Sequence, residues 1–198
     1  MAKLVCGVGV NDAKYKVNKY QMVNGKQVSV WVCPFYHRWK SMLRRCYSDS
    51  CHKVQPTYKG CEVCDDWLVF SNFKRWMENQ DWSGKQLDKD LLIPGNKIYS
   101  PDACVFVSKQ LNMFTTDSAA SRGDYPIGVF FNGREEKIQS QCRNPFTGKQ
   151  ENLGFFDCEI KAHKEWLKRK HQLACELAKH QSDERLSLAL MSRYAKSD

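Results

Sequence analysis

The sequence predicts an α+β protein made of two compact units, and three observations support this prediction. Apolar residues recur at helical spacing between residues 34 and 79. Beyond residue 125, apolar and polar residues alternate as they do in β-strands. Small polar residues between the two patterns are typical of a linker. Because 198 residues can bury two small cores, we place a first unit at residues 1–114, a linker at 115–125 and a second unit at 126–198.

Two amphipathic helices are predicted in the first unit. The segment PFYHRWKSMLRRCYS carries an apolar stripe of Phe35, Trp39, Met42, Leu43 and Cys46. Its opposite side is basic, a pattern that is either solvated or lies against phosphates. A second helix is expected over DDWLVFSNFKRWMEN, residues 65–79, with its tryptophans and phenylalanines in the core.

The second unit is predicted to be a three-stranded antiparallel meander followed by helices. Turn-forming stretches NGRE and NPFTGKQ separate three short strands. A long helix begins near Cys158, and its lysines, including Lys170, are expected to face mainly outward. A last short helix covers DERLSLALMSRY, with Ser182 as its N-cap. The residues of the long helix that we expect to face the sheet are Ala162, Trp166, Leu173 and Leu177.

The charge of the chain predicts a polyanionic partner. Thirty-one Lys and Arg against twenty-two Asp and Glu give a formal net charge of +9, and nucleic acid is the first candidate. The alternative is a basic protein whose lysines only keep it in solution. No apolar run approaches the roughly 18 residues of a membrane span, and no signal peptide is recognisable. The sequence therefore predicts a cytosolic protein without a membrane partner.

Ten cysteines in a chain without export signals indicate reduced thiols or metal ligands. Two of them form the CEVC stretch, which has the spacing of a zinc knuckle. The other two nearby cysteines lie further apart in the sequence, and buried free thiols explain them equally well. The candidate Zn²⁺ ligands are Cys46, Cys51, Cys61 and Cys64.

The stretch QLDKDLLIPGNKIYSPDACVFV, residues 86–107, carries two closely spaced carboxylates. On a strand, Asp88 and Asp90 would project from one face. Two carboxylate oxygens suit Mg²⁺, which retains several waters and binds substrate phosphates. The alternative is a charge-balanced surface strand with no ligand.

This stretch resembles the ββα-metal motif of phage HNH endonucleases, in which a strand bearing Asp-His leads through an Asn-containing loop to a Tyr-Ser-Pro helix entry. CPFYHRWKSMLRRCYS and PTYKGCEVCDDWLVFSNFKRWMENQDW also resemble HNH homing endonucleases of T7-like and other tailed phages. YPIGVFFNGREEKIQSQCRNPFTGKQENLGFFDCEIKAHKEWLKRK resembles the AP2-type DNA-binding domain. The resemblance extends from about Gly7 to Arg193. It implies an HNH-like ββα-metal unit with flanking helices, then a small AP2-like sheet and helix.

The resemblance also implies roles for residues of the acidic stretch. Asp88 would bind Mg²⁺ or Mn²⁺, and this metal would contact the scissile phosphate. Asn96 would act as the orienting loop asparagine. Lys89 stands where the general-base histidine belongs, and Ala103 stands where a late metal ligand belongs. Asp90 is the nearest substitute, as base or second metal ligand, while Lys89 would contact the phosphate.

For the second unit, the resemblance implies a sheet that lies in the major groove of double-stranded DNA. Strand alternation places Lys137, Gln139 and Gln141 on one face, opposite Ile138 and Cys142. A solvated sheet explains this polar face as well as a DNA contact does. The candidate DNA-binding residues are Arg134, Lys137, Gln139, Gln141, Arg143 and Lys149.

The expected function is that of a phage homing-type endonuclease, which hydrolyses or nicks duplex DNA in the cytoplasm of the infected bacterium. Two alternatives remain open. The first is a catalytically inactive DNA-binding protein on the same scaffold. The second is a phage protein that uses this scaffold to bind a host protein.

Overall fold

The computed structural model describes residues 4–117 and 123–195 and shows an α+β fold. The chain divides into a first unit, Met1–Val107, and a second unit, Ser108–Asp198. This boundary precedes the predicted one, so the short helix after Ser108 belongs to the second unit. Residues 118–122 of the predicted linker lie outside the described residues.

The first unit begins with a β-hairpin that the sequence analysis missed. Strand β1 (Asn18–Val23) pairs antiparallel with β2 (Lys26–Val32). Asn24 and Gly25 form the turn with φ of 51° and 74°, which is the geometry that an Asn-Gly hairpin favours. Apart from one residue at the open end of each strand, every hairpin residue is exposed.

Three helices follow: α1 (Pro34–Tyr47), α2 (Asp49–Val54) and α3 (Phe70–Glu78). Helix α1 confirms the first predicted helix and begins with a proline, whose fixed φ suits the first helical position. The second predicted helix is interrupted, because a 3₁₀ turn (Asp65–Leu68) precedes α3 and Val69 between them is extended. The backbone of Val10 bonds to Leu68 and Phe70 on either side of Val69 and holds this break.

The core of the first unit is largely aromatic. Trp39, Trp67 and Phe73 are completely buried, and the Trp39 indole donates a 2.7 Å hydrogen bond to the Trp67 carbonyl. Trp67 and Phe73 meet edge to face with ring centroids 5.1 Å apart. This bond satisfies the buried indole N–H of Trp39 and fixes α1 against the turn that precedes α3.

Four short strands complete the first unit: β3 (Glu62–Val63), β4 (Gln86–Asp88), β5 (Ile98–Tyr99) and β6 (Val105–Val107). Strand β4 pairs antiparallel with β6, and Asp88 lies opposite Val105. Strand β5 pairs parallel with β3. These two pairs hold both ends of the loop between Asp88 and Ile98.

The second unit confirms the predicted meander and long helix. After α4 (Lys109–Thr115), strands β7 (Val129–Asn132), β8 (Lys137–Arg143) and β9 (Gln150–Phe156) form an antiparallel sheet in sequence order. Helices α5 (Glu159–Ala178) and α6 (Glu184–Arg193) follow. Asp183 caps α6 through a bond from the Arg185 amide, in place of the predicted Ser182.

Helix α5 covers one face of the sheet. The four residues predicted to face the sheet are buried, and Arg169 forms a two-point ion pair with Glu151 on β9. Gly128 has φ of +79°, and a Cβ there would lie 1.9 Å from the Trp166 ring. The helix therefore approaches the sheet closely because residue 128 has no side chain.

Among the helices of the described residues, none combines the length and the apolar character needed to cross a membrane.

Candidate functional site

The acidic loop, residues 88–98, is shaped by the side chain of Asp88. Its Oδ1 accepts hydrogen bonds from the amides of Asp90 at 3.0 Å and Leu91 at 2.8 Å. These bonds curl the chain out of the extended conformation, so β4 ends at Asp88 and Asp90 lies in the bend that follows. The predicted placement of both carboxylates on one strand face is therefore wrong.

The Asp88 carboxyl is a candidate metal ligand. Burial raises its pKa, and the neighbouring charge of Asp90 raises it further. Its Oδ2 receives no hydrogen bond from the described residues, and it forms no ion pair with any of them. Within residues 4–117 and 123–195, no three His, Cys, Asp or Glu side chains are grouped so as to hold a metal ion. Asp88 and Asp90 thus offer at most a two-carboxylate site, which fits a cation that keeps most of its waters.

Lys89 is buried, with only 8% of its side chain exposed. Its Nζ donates to Asp90 Oδ2 and to the Asn96 carbonyl, both at 2.9 Å. Burial disfavours the charged ammonium, but the hydrogen bond and charge of Asp90 outweigh it and raise the pKa. Lys89 therefore stays protonated and is enclosed by the protein. This geometry contradicts a role as base. Because Asp90 already compensates the charge of Lys89, little of that charge is left to attract the predicted phosphate.

Asn96 lies where the orienting loop asparagine was expected, and its side chain makes three hydrogen bonds. Its Nδ2 donates to the carbonyls of Lys89 at 2.6 Å and Ile98 at 2.7 Å, while its Oδ1 accepts from the Ile98 amide at 3.2 Å. Asn96 therefore fixes the backbone at position 89. Ala103, the other departure from the motif, is buried.

The four cysteines proposed as zinc ligands do not form a ligand set. Cys46, Cys51 and Cys61 are buried and Cys64 is half-buried, and all four are free. Burial, together with the neighbouring Cys61, raises the pKa of the Cys46 thiol to about 12. A zinc ligand must be a thiolate, and no described cluster contains three of these residues. The structure thus favours the alternative, in which they are buried thiols.

The second candidate site is the face of the sheet that points away from α5, here called the open face. Cys142 and Glu151 are paired across β8 and β9, and Glu151 binds Arg169 on α5. Because neighbouring strand residues alternate between faces, the residues next to Cys142 belong to the open face. The open-face residues of β8 are Lys137, Gln139, Gln141 and Arg143.

Gln139 is not accessible for the DNA contact that the sequence predicts. It is only 6% exposed, because Phe130 and Phe155 lie beside it in register on the neighbouring strands. The side-chain Nδ2 of Asn132 also donates a 2.7 Å hydrogen bond to Oε1 of Gln139. Gln139 therefore supports the open face instead of projecting from it.

The other DNA-binding candidates are accessible. Lys137 and Arg143 are exposed at the two ends of β8, and Gln141 is half-buried between them. Arg134 and Lys149 are exposed in the two hairpin loops. The structure thus brings four basic residues to the strand ends and loops of one small sheet.

Two aromatic residues of the open face were missed by the sequence analysis. Phe130 and Phe155 are 38% and 40% exposed and flank Gln139 in one cross-strand row. The sequence could have indicated them, because antiparallel pairing of VFFN with KIQS places Phe130 opposite Gln139 and so on the same face. The open face therefore combines basic, amide and aromatic side chains.

Comparison of the chain with protein-family models, with curated proteins and with solved structures gives no match.

Proposed function

We propose that the chain is a protein that binds double-stranded DNA through the open face of its second unit. The observation that carries this proposal is the composition of that face, where Lys137 and Arg143 lie at the ends of β8 and Gln141 and two exposed phenylalanines lie between them. The net charge of +9 supports a polyanionic partner.

Each side-chain type of the open face has a matching group on duplex DNA. Exposed lysines and arginines attract phosphates or guanine edges, and the amide of Gln141 can pair with an adenine edge in the major groove. Phe130 and Phe155 present apolar surface that suits a thymine methyl group. Because α5 covers the opposite face, the sheet can approach the groove on one side only.

The test is fluorescence anisotropy with labelled duplex DNA at several salt concentrations. Replacing Lys137 and Lys149 by Gln should weaken binding and reduce the slope of log affinity against log salt by about one per lysine. The matched control replaces Lys161 and Lys164, which are exposed on α5, with the same loss of charge. Equal weakening in both double variants would show that overall charge, and not the open face, drives binding.

A second candidate function is metal-dependent cleavage of the bound DNA by the first unit. The observation that favours it is the Asp88 carboxylate, of which only Oδ1 accepts hydrogen bonds from the described residues. The loop that holds it is closed by Asn96. Asp88, with Asp90, would hold Mg²⁺ or Mn²⁺, which when bound would stabilise the negative charge on the phosphodiester. Asp90, whose side chain is 48% exposed, is the residue able to accept a proton from water. Lys89 has no part in this proposal beyond holding Asp90.

Plasmid nicking with Mg²⁺ or Mn²⁺ tests this second function. Conversion of Asp88 and Asp90 to Asn should abolish nicking, whereas the same change at exposed Asp102 should not. If the double variant still nicks, the cleavage centre lies elsewhere. If the wild type binds duplex DNA and never nicks it, the chain is a DNA-binding protein without this activity.

Purification at high salt separates the DNA proposal from the host-protein alternative. High salt weakens contacts between lysines and phosphates, so co-purification that depends on DNA should be lost. A host protein that remains at a fixed ratio to the chain would favour a protein partner.

A further inference from the structure

A cavity of about 480 Å³ lies within the second unit, between α4, α5 and the chain that follows β8. This volume is in the range of small-molecule sites. Gln110 on α4 hydrogen-bonds to the carbonyl of Pro145 in the loop after β8, which joins two walls of the cavity. The cavity is therefore formed by elements that are tied together, and it is separate from the acidic loop.

Among the residues that the structure describes, those lining the cavity include cations and no acidic residue. Lys109 comes from α4 and Lys170 from α5, while Arg143, which is also an open-face residue, borders the cavity at the end of β8. Met113 and Phe114 supply apolar surface, and Met113 is 56% exposed. Three cations from three different elements beside an apolar wall are the complement of an anion that carries an apolar body.

Lys170 is the most informative of the three cations, since the sequence predicted it on the outer side of α5. It is only 8% exposed, and its Nζ donates to the Phe114 carbonyl. The same Nζ lies 3.4 Å from the centroid of the Phe114 ring, 5.5 Å from that of Trp166 and 5.3 Å from that of Tyr194. These contacts hold the ammonium in place and supply no negative charge.

The charge of Lys170 is therefore incompletely compensated. Among the described residues, no carboxylate forms an ion pair with it, although buried charges are ordinarily paired. Burial lowers its pKa to about 8; the nearby Cys142 opposes this shift and Arg193 adds to it. An anion in the cavity would supply the missing counter-charge.

We infer that this cavity binds a nucleoside monophosphate group, with its phosphate near Lys109, Arg143 and Lys170 and its base against the exposed Met113. Phosphate oxygens are strong acceptors for ammonium and guanidinium donors, and the apolar faces of a base can pack against a flexible, polarizable methionine side chain. The group has two possible sources, a free nucleotide or the 5′-phosphorylated end of a DNA strand. The inference goes beyond the proposed function, because neither duplex binding by the open face nor cleavage at Asp88 requires it.

The test is isothermal titration calorimetry of the full chain with deoxyadenosine monophosphate. Lys109→Gln should weaken binding about tenfold through the loss of one charged contact. Met113→Ser should weaken binding of the nucleotide without affecting binding of inorganic phosphate. Lys168→Gln is the charge-matched control, because Lys168 is exposed on α5 with 60% of its side chain accessible. Both altered lining residues are exposed, so folding should be preserved.

The outcomes separate the inference from its rivals. Absence of saturable nucleotide binding, equal effects of the Lys109 and Lys168 variants, or phosphate binding as tight as nucleotide binding would each overturn it. If a 5′-phosphorylated octanucleotide binds more tightly than its 5′-hydroxyl form and than the free nucleotide, the source is a strand end. The reverse order identifies the free nucleotide. The Lys137 and Lys149 double variant should retain nucleotide binding, so failure of the duplex proposal would be seen independently.

Discussion

Lys89 and Asn96 hold each other through two reciprocal hydrogen bonds. The Lys89 ammonium donates to the Asn96 carbonyl at 2.9 Å, and the Asn96 amide donates to the Lys89 carbonyl at 2.6 Å. Each side chain thereby donates a hydrogen bond to the backbone carbonyl of the other residue. The acidic loop closes around this pair, which fixes the position of Asp90 through its bond to Lys89.

Asn96→Ala should lower the free energy of unfolding by about 1–3 kcal/mol, because it leaves the bonded backbone groups of Lys89 and Ile98 without their partner. Urea denaturation measures this change. Asn79→Ala is the control, since the Asn79 side chain makes one bond at an exposed helix end. A similar loss in both variants would show that the acidic loop does not depend on Asn96.

Lys89→His should fail to create or increase nicking activity, although it restores the residue type of the HNH motif. The side chain at position 89 is buried, so an imidazole would lack access to a water beside a phosphate. The variant should also have a lower free energy of unfolding, because Asp90 and the Asn96 carbonyl lose the hydrogen bonds that the Lys89 ammonium donates to them. Nicking and urea unfolding of the same preparation check both parts. A clear gain in nicking would contradict the buried placement of residue 89.

Asp88→Asn should be at least as stable as the wild type at about pH 7, because Asn can still accept the two amide bonds and carries no charge to desolvate. A raised carboxyl pKa favours the folded state at low pH, and this contribution is lost as the pH rises through the folded-state pKa. The stability difference should therefore shrink on acidification. Asp88→Ala, which loses the acceptor, should be destabilised at about pH 7. Urea unfolding of the wild type, Asp88→Asn and Asp88→Ala, from about pH 7 down into the acidic range, measures the three free energies of unfolding.

Glu151→Gln should cost about 1 kcal/mol near neutral pH by weakening the two-point bond to Arg169. The bonds from Arg169 and Asn144 lower the pKa of Glu151. The stabilisation is thus present above the unfolded-state pKa and lost as the pH falls through the folded-state value. Thermal unfolding at several pH values should show the two proteins converging in acid. A constant difference would contradict the assigned ion pair.

Gly128→Ala should lower the free energy of unfolding by about 3 kcal/mol or more, since a Cβ would collide with Trp166 and the backbone has a positive φ. Gly133→Ala is the matched control, because nothing lies within 4 Å of the position that its methyl group would occupy and its φ is not in the left-handed range. Urea denaturation compares the two variants. An equally small effect of both would mean that α5 does not approach the sheet as closely as described.

Periodicity in the sequence predicts the elements that have one continuous buried face. Helix α1, the three-stranded meander and α5 follow from it, because their apolar spacing matches a single local geometry. The break at Val69 does not follow, since it depends on Val10, which is distant in the sequence. The hairpin of β1 and β2 was missed because neither face is buried, although Asn24-Gly25 is a strong turn signal.

The candidate sites were less predictable, because they depend on where single side chains point. Sequence spacing identified Asp88, Asp90 and Asn96 as one constellation. It could not show that Asp88 ends its strand by capturing two amides, or that Lys89 is enclosed. In the same way, a helical lysine such as Lys170 is expected to be solvated until the rings of Phe114 on α4 and of Tyr194, directly after α6, are placed around it.

The exposed hairpin of β1 and β2 has a practical consequence for protein engineering. Its turn at Asn24 and Gly25 lies far along a ribbon whose side chains are nearly all solvent-accessible. Insertions are best tolerated at exposed turns with few contacts. A short peptide tag or a fluorophore attachment site introduced between these two residues should leave the aromatic core intact, which gives a labelling position on the surface of the first unit.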